Sequence, residues 1–102
     1  MASYQRLTAM AGSEAVRLAS DYLRERIPLE VVSQDGHSIT LSGGDGTVTI
    51  SAHSHGLDTA VTVATDQLRT SRIDIEAQHY LAQLPYQPED TVGSARARPS
   101  TS

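Results

Sequence analysis

Four histidines are the residues of this chain best suited to chemistry, and two of them lie close together at positions 53 and 55. Residues two apart on a strand project to the same side, so His53 and His55 could share a metal ion. Asp45 or Asp58 in the flanking turns could add a carboxylate ligand. An H-x-H pair without a third fixed ligand is nevertheless a weak metal signal. The set of His53, His55 and Asp58 is therefore the alternative hypothesis rather than the preferred one.

The other parts of common catalytic sites are missing from the sequence. Cysteine is absent, which excludes disulfides, thiolate zinc sites and cysteine nucleophiles. Lysine is absent too, which excludes Schiff-base chemistry and the phosphate-binding lysine of a P-loop. No serine lies in a G-x-S-x-G motif. The sequence favours a protein without catalytic activity, and it predicts no cofactor.

The charge balance bears on partners and location. A net charge of −4 disfavours nucleic acid as a partner, because phosphate binding depends on a basic surface. The N-terminal segment has no continuous apolar run, so we expect no signal peptide, no membrane span and a cytoplasmic location. Eight arginines without a single lysine suggest a GC-rich and bacterial coding sequence.

The candidate residues must be positioned by four short segments between Leu29 and Thr65. These segments alternate apolar and polar residues and read LEVVS, HSITLS, TVTISAHS and TAVTVAT. They are separated by QDG, GGDG and HGLD, which are typical of hairpin turns. The alternation predicts one aliphatic face and one hydroxyl-rich face, as in an antiparallel sheet that is covered on one side only.

A helical period flanks the strands on both sides. The first apolar stripe consists of Val16, Ala19, Leu23 and Ile27. The second consists of Ile73, Ala77, Tyr80, Leu81 and Leu84. Pro28 and Pro85 end the two helical patterns, because proline lacks a backbone donor and disfavours helical ψ in the residue before it. Ser71 and Asp74 have the S-x-x-D spacing that predicts an N-terminal cap.

These patterns predict an α+β fold, namely a two-layer αββββα sandwich. Its sheet is a four-stranded antiparallel meander, with both helices packed on one face. Residues 1–12 are expected to form an N-terminal extension or an extra helical turn, because their apolar residues have helical spacing. We expect residues 13–88 to form a single domain and the polar residues 89–102 to form a disordered tail.

The hydroxyl-rich face is the predicted interaction face. Its central residues are Thr40, Thr47, Thr49, Ser51 and Thr62. A flat polar face of this kind can simply be solvated, but it can also pair with another sheet, and a sheet edge can accept a partner's strand. The thin aliphatic core favours a homodimer, which would add buried area.

The preferred hypothesis is thus a small acidic protein-interaction module of the adaptor, chaperone-like or inhibitor type. Its partner would be another protein or a second copy of itself, and neither nucleic acid nor membrane. The alternative is a small-molecule or metal-binding protein that uses His53 and His55.

Overall fold

A computed structural model describes residues 2–84 of the chain, apart from the side chain of His55. They form one antiparallel sheet and two helices. In chain order the elements are β1 (Ala2–Thr8), α1 (Gly12–Arg26), β2 (Glu30–Gln34), β3 (Ser38–Gly43), β4 (Gly46–His55), β5 (Asp58–Thr65) and α2 (Arg72–Ala82). The predicted tail, residues 89–102, lies outside the described residues.

The five strands are ordered β1-β5-β4-β3-β2 across the sheet. The predicted antiparallel meander is confirmed as β2 to β5, with each strand beside the next. Both helices pack on one face: α1 lies on β3, β4 and β5, and α2 lies on α1, β1 and β5. The domain is therefore the predicted two-layer α+β sandwich with one additional strand. Neither of the helices in this part of the chain is long and apolar enough to cross a membrane.

The additional strand β1 replaces the extra helical turn that was expected in residues 1–12. It pairs with β5 along its whole length, from Ala2 opposite Thr65 to Thr8 opposite Thr59. The helical spacing is misleading because the side chains alternate instead: Thr8 is buried, whereas Leu7 is 43% exposed. Long-range pairing decides the outcome, since β1 supplies hydrogen-bond partners for the otherwise free edge of β5.

The core is aliphatic around the fully buried ring of Tyr80. The inner-face residues of the predicted strands are buried as expected, with one exception. Val31 is 41% exposed, because β2 is the outermost strand and lies beyond the area on which the two helices chiefly pack. The Tyr80 hydroxyl donates a 2.5 Å hydrogen bond to the Ala15 carbonyl, which joins α2 to α1. Burial raises the pKa of Tyr80.

A buried carboxylate joins β1, β5 and α2. Asp74 is fully buried and accepts hydrogen bonds from the hydroxyls of Tyr4 (2.7 Å), Thr65 (2.8 and 2.9 Å) and Ser71 (2.6 Å). The predicted cap is also present, because the Asp74 backbone N–H donates to Ser71 Oγ at 3.2 Å. Burial, the hydrogen bond to Asp74 and its negative charge all raise the pKa of Tyr4.

Helix α1 begins at Gly12 and packs closely on β4. Its N-cap residue, Ala11, makes no side-chain hydrogen bond to the helix. A Cβ atom at Gly12 would lie 3.2 Å from the Ala52 Cβ atom. The glycine therefore allows the helix start to approach β4, and the helix then ends before Pro28 as predicted.

Candidate functional site

The five predicted interaction residues lie on one face of the sheet, opposite the helices. The β-ladders place Thr40 opposite Thr49 and Ser51 opposite Thr62. Each of these side chains is half-buried, while their neighbours along the strands point into the core. We call this surface the outer face. It consists of the residues of β1, β3, β4 and β5 whose side chains point away from the helices.

The hydroxyls of the outer face bond to one another across the strands. Thr40 Oγ1 lies 3.1 Å from Thr49 Oγ1, and Ser42 Oγ lies 3.0 Å from Thr47 Oγ1. Each pair satisfies part of its hydrogen-bonding capacity within the protein. Covering these pairs with another surface costs less than covering lone hydroxyls, because fewer bonds to water are lost.

Charged side chains are confined to the margins of the outer face. We consider the described residues that point outward from β3, from β4 and from β5 beyond Asp58. None of them is acidic, and none is an arginine. This distribution contrasts with a chain in which 20% of the residues are charged. The centre of the face is therefore neutral, although the protein is acidic as a whole.

Sequence reasoning missed the part of the outer face that β1 contributes. Ser3 lies opposite Ala64, Gln5 opposite Thr62, and Leu7 opposite Ala60. Leu7 is exposed and adds an apolar side chain beside the hydroxyl rows, whereas Ala60 opposite it is buried. The alternating pattern of the first eight residues could have indicated this strand, but its few apolar residues fit a helix equally well.

The histidine hypothesis concerns the end of the sheet near the β4–β5 turn. Asp58 lies opposite His55 in the ladder, and His53 lies opposite Ala60. Asp45 is not part of this group, because it lies in the β3–β4 turn at the far end of β4. A ten-residue strand separates the two ends by about 30 Å. Only Asp58 of the two candidate carboxylates is therefore near the histidine pair.

The structure brings His37 to the same end, which was not predicted. His53 and His37 line one cleft of about 400 Å³ together with Ser13 at the start of α1. The Ala52 backbone N–H donates a 2.8 Å hydrogen bond to the His37 carbonyl, so the two histidines lie on neighbouring segments. The β3–β4 register could have indicated this, because Ile39 opposite Ile50 implies His37 opposite Ala52.

The turn that carries His37 is held by Asp35. One oxygen of its carboxylate accepts from the backbone N–H groups of His37 (2.7 Å) and Ser38 (2.9 Å). These bonds lower the pKa of Asp35, the first of them most strongly. A bonded carboxylate also stabilises the turn, as expected for Asp in an Asx-type turn.

The metal hypothesis gains no third ligand from the described side chains. Among them, no three His, Asp or Glu residues lie close enough together to hold a metal ion. The fourth histidine, His79, is on α2 and lies 3.6 Å from Glu76. Because the side chain of His55 lies outside the described atoms, the predicted set of His53, His55 and Asp58 stays a prediction.

The geometry thus defines two candidate regions, the neutral outer face and the histidine cleft. The first is broad and flat, and the second is small and polar. Comparison of this chain with protein families, with curated proteins and with solved structures found no match.

Proposed function

We propose that this chain is a non-catalytic protein-interaction module of the bacterial cytoplasm that docks a partner protein on its outer face and also self-associates. The observation that carries this proposal is the pairing of hydroxyls across a face that has no charge at its centre. A partner that covers this surface strips water from few unsatisfied groups and from no central charge.

The shape of the outer face suits a flat partner surface. Two β-sheets that pack face to face lie about 10 Å apart, with short side chains between them. Threonine, serine and alanine are short enough for this spacing, and Leu7 adds exposed apolar area at one side. We infer a partner with a flat, weakly charged surface, such as another sheet.

The test uses one outer-face variant and one matched control. Thr49→Arg places a charge at the centre of the face and removes one hydroxyl pair. Thr70→Arg makes the same chemical change at an exposed position in the loop before α2. A partner captured with the wild-type protein is identified, purified and titrated against both variants by calorimetry.

We expect Thr49→Arg to weaken binding at least about tenfold, because a buried unpaired charge is costly, while Thr70→Arg binds like wild type. Equal binding of the two variants, with both shown to be folded, would exclude the outer face as the docking surface.

The second candidate function is a small-molecule or metal site at the histidine end of the sheet. It is favoured by the convergence of His37 and His53 on one cleft, with Asp58 nearby at the start of β5. Imidazole nitrogens are suitable ligands for zinc, nickel and copper. A nickel titration of wild type, His53→Ala, His55→Ala and His79→Ala tests it. Loss of binding in the first two variants but not in His79→Ala would support the site, and absence of binding to wild type would exclude it.

A further inference from the structure

The two edges of the sheet differ in how well they could accept another strand. β2, at one edge, shifts register between Val31 and Ser33 where it pairs with β3. Such a bulge interrupts the regular row of backbone groups and protects an edge from pairing. β1, at the other edge, is in regular register with β5 over all seven residues.

The β1 edge also lacks the other features that protect sheet edges. Its sequence, ASYQRLT, has no proline and only one charged residue, Arg6. Among the described residues, β5 is the only strand that pairs with it. This edge is therefore regular, nearly neutral and suited to antiparallel extension of the sheet.

We propose that β1 pairs with β1 of a second copy of this chain, around a two-fold axis that passes Gln5. This pairing of the two β1 strands joins the two sheets into one continuous sheet of ten strands. This inference rests on the proposed self-association, but it does not depend on docking at the outer face.

The register of β1 makes it complementary to itself. In antiparallel pairing centred on Gln5, Tyr4 lies opposite Arg6 of the second copy, and Ser3 lies opposite Leu7. A continuous sheet requires that opposed residues share a face. Tyr4 and Arg6 both pair with inner-face residues of β5. Ser3 and Leu7 both pair with outer-face residues, so the requirement is met in each case. Arg6, the only charged residue of the strand, therefore lies opposite an uncharged residue, and its guanidinium stays bonded to the Leu84 carbonyl of its own copy.

The same construction fails on β2. Pairing centred on Val32 would oppose Val31 to Ser33 of the second copy. Val31 pairs with the inner residue Leu41, whereas Ser33 pairs with the outer residue Thr40. Opposed side chains would then lie on different faces, so the bulge prevents a regular two-fold contact at this edge.

Helix α2 provides a surface that the paired edges would cover. A cleft of about 440 Å³ separates β1 from α2 and is lined by Leu7, Gln78 and Ala82, among others. Ile75, Gln78 and Ala82 lie on one side of the helix at i, i+3 and i+7. Ile75 on this side of α2 is 42% exposed and Leu7 on the outer face of β1 is 43% exposed, and a second copy at the β1 edge would remove apolar area of both from water. An isologous contact would bring both copies of this surface to the axis.

The two-fold axis gives the proposal a sharp test, because residue 5 of each copy meets its own equivalent. Gln5→Lys and Gln5→Glu each create a like-charge pair at the axis, whereas an equimolar mixture of the two variants creates an opposite-charge pair. Gln34→Lys and Gln34→Glu, at exposed positions of β2, are matched controls for the other edge. The readout is mass by sedimentation equilibrium, with circular dichroism to show that each variant is folded.

We expect a wild-type dimer, at least about tenfold weaker dimerisation in each Gln5 variant, and recovery in their mixture. The Gln34 variants should dimerise like wild type. Gln5 variants that dimerise as tightly as wild type would overturn the proposal and place the dimer contact away from the β1 edge. A wild-type monomer would also overturn the proposal. If the protein dimerised only after removal of residues 85–102, the β1 edge would be assigned to the chain's own C-terminal segment.

Discussion

The Tyr4 hydroxyl donates a 2.7 Å hydrogen bond to the Asp74 carboxylate, across 70 residues of sequence. This contact joins the first strand to the last helix on the inner side of the sheet. Thr65 and Ser71 donate to the same carboxylate, so three hydroxyls surround one buried charge. The position of α2 beside β1 therefore depends on a polar group inside the core.

The first prediction concerns this contact. Tyr4→Phe removes one donor to a buried carboxylate and should lower the free energy of unfolding by about 1.5–3 kcal/mol, the usual range for hydrogen bonds to charged groups. Urea unfolding measures the change. Tyr22→Phe is the control, because the Tyr22 hydroxyl makes no hydrogen bond within residues 2–84. Equal losses in the two variants would show that the bond to Asp74 adds nothing specific.

The second prediction concerns two neighbouring glycines in the β3–β4 hairpin. A Cβ atom at Gly43 would collide with the backbone carbonyl oxygen of Pro28, whereas a Cβ atom at Gly44 would meet nothing within 4 Å. Gly43→Ala should therefore destabilise the protein by about 1–3 kcal/mol or more, as for overpacked sites. Gly44→Ala should change stability by less than about 0.5 kcal/mol, as at other open surface positions. Thermal unfolding of both variants distinguishes the two outcomes, and a stable Gly43→Ala protein would mean that Pro28 can move away.

The third prediction concerns the core stripe of α2. Leu81 belongs to the buried core and is 6% exposed, so Leu81→Ala should cost about 2–5 kcal/mol of unfolding free energy. Leu68→Ala is the matched control, because Leu68 is 72% exposed in the loop before α2 and should tolerate the change within about 0.5 kcal/mol. If the two substitutions cost the same, the helix does not present Leu81 to the core.

The fourth prediction concerns acid. Hydrogen bonds from His37 N–H and Ser38 N–H lower the pKa of Asp35, and those from Thr47 N–H and Gln67 lower the pKa of Asp66, from an ordinary value of 3.8. As the pH falls, these two carboxylates therefore bind protons in the unfolded chain before they do so in the folded protein. The stabilisation is therefore complete above about pH 4 and is lost as pH falls through the lower folded-state pKa values.

The measurement is urea unfolding as a function of pH. Asp35→Asn should reduce the loss of stability between neutral and strongly acidic pH. Asp45→Asn, in the next hairpin, is the control, because the Asp45 carboxylate accepts no hydrogen bond from the described residues. An unchanged acid dependence in Asp35→Asn would show that the turn bonds do not stabilise the ionised carboxylate.

Much of the outer face was predictable because alternation is a local property. Residues such as Thr40 and Thr49 share a face whenever their strands pair in the register that the hairpin sets, and both the strands and the turns have clear sequence signals. The cap of α2 at Ser71 and the end of α1 before Pro28 were predictable for the same reason. Each depends on residues within four positions of one another.

The meander, the two helices and the aliphatic side of the sheet follow from the amino-acid pattern alone, since period and turn chemistry act over short distances. The strand at residues 2–8 depends instead on long-range pairing, because its pattern fits a helix or a strand and the free edge of β5 selects the strand. The assembled fold also buried Asp74 against the hydroxyls of Tyr4 and Thr65. Those arrangements join residues from distant parts of the chain, and no local pattern records which of them will meet.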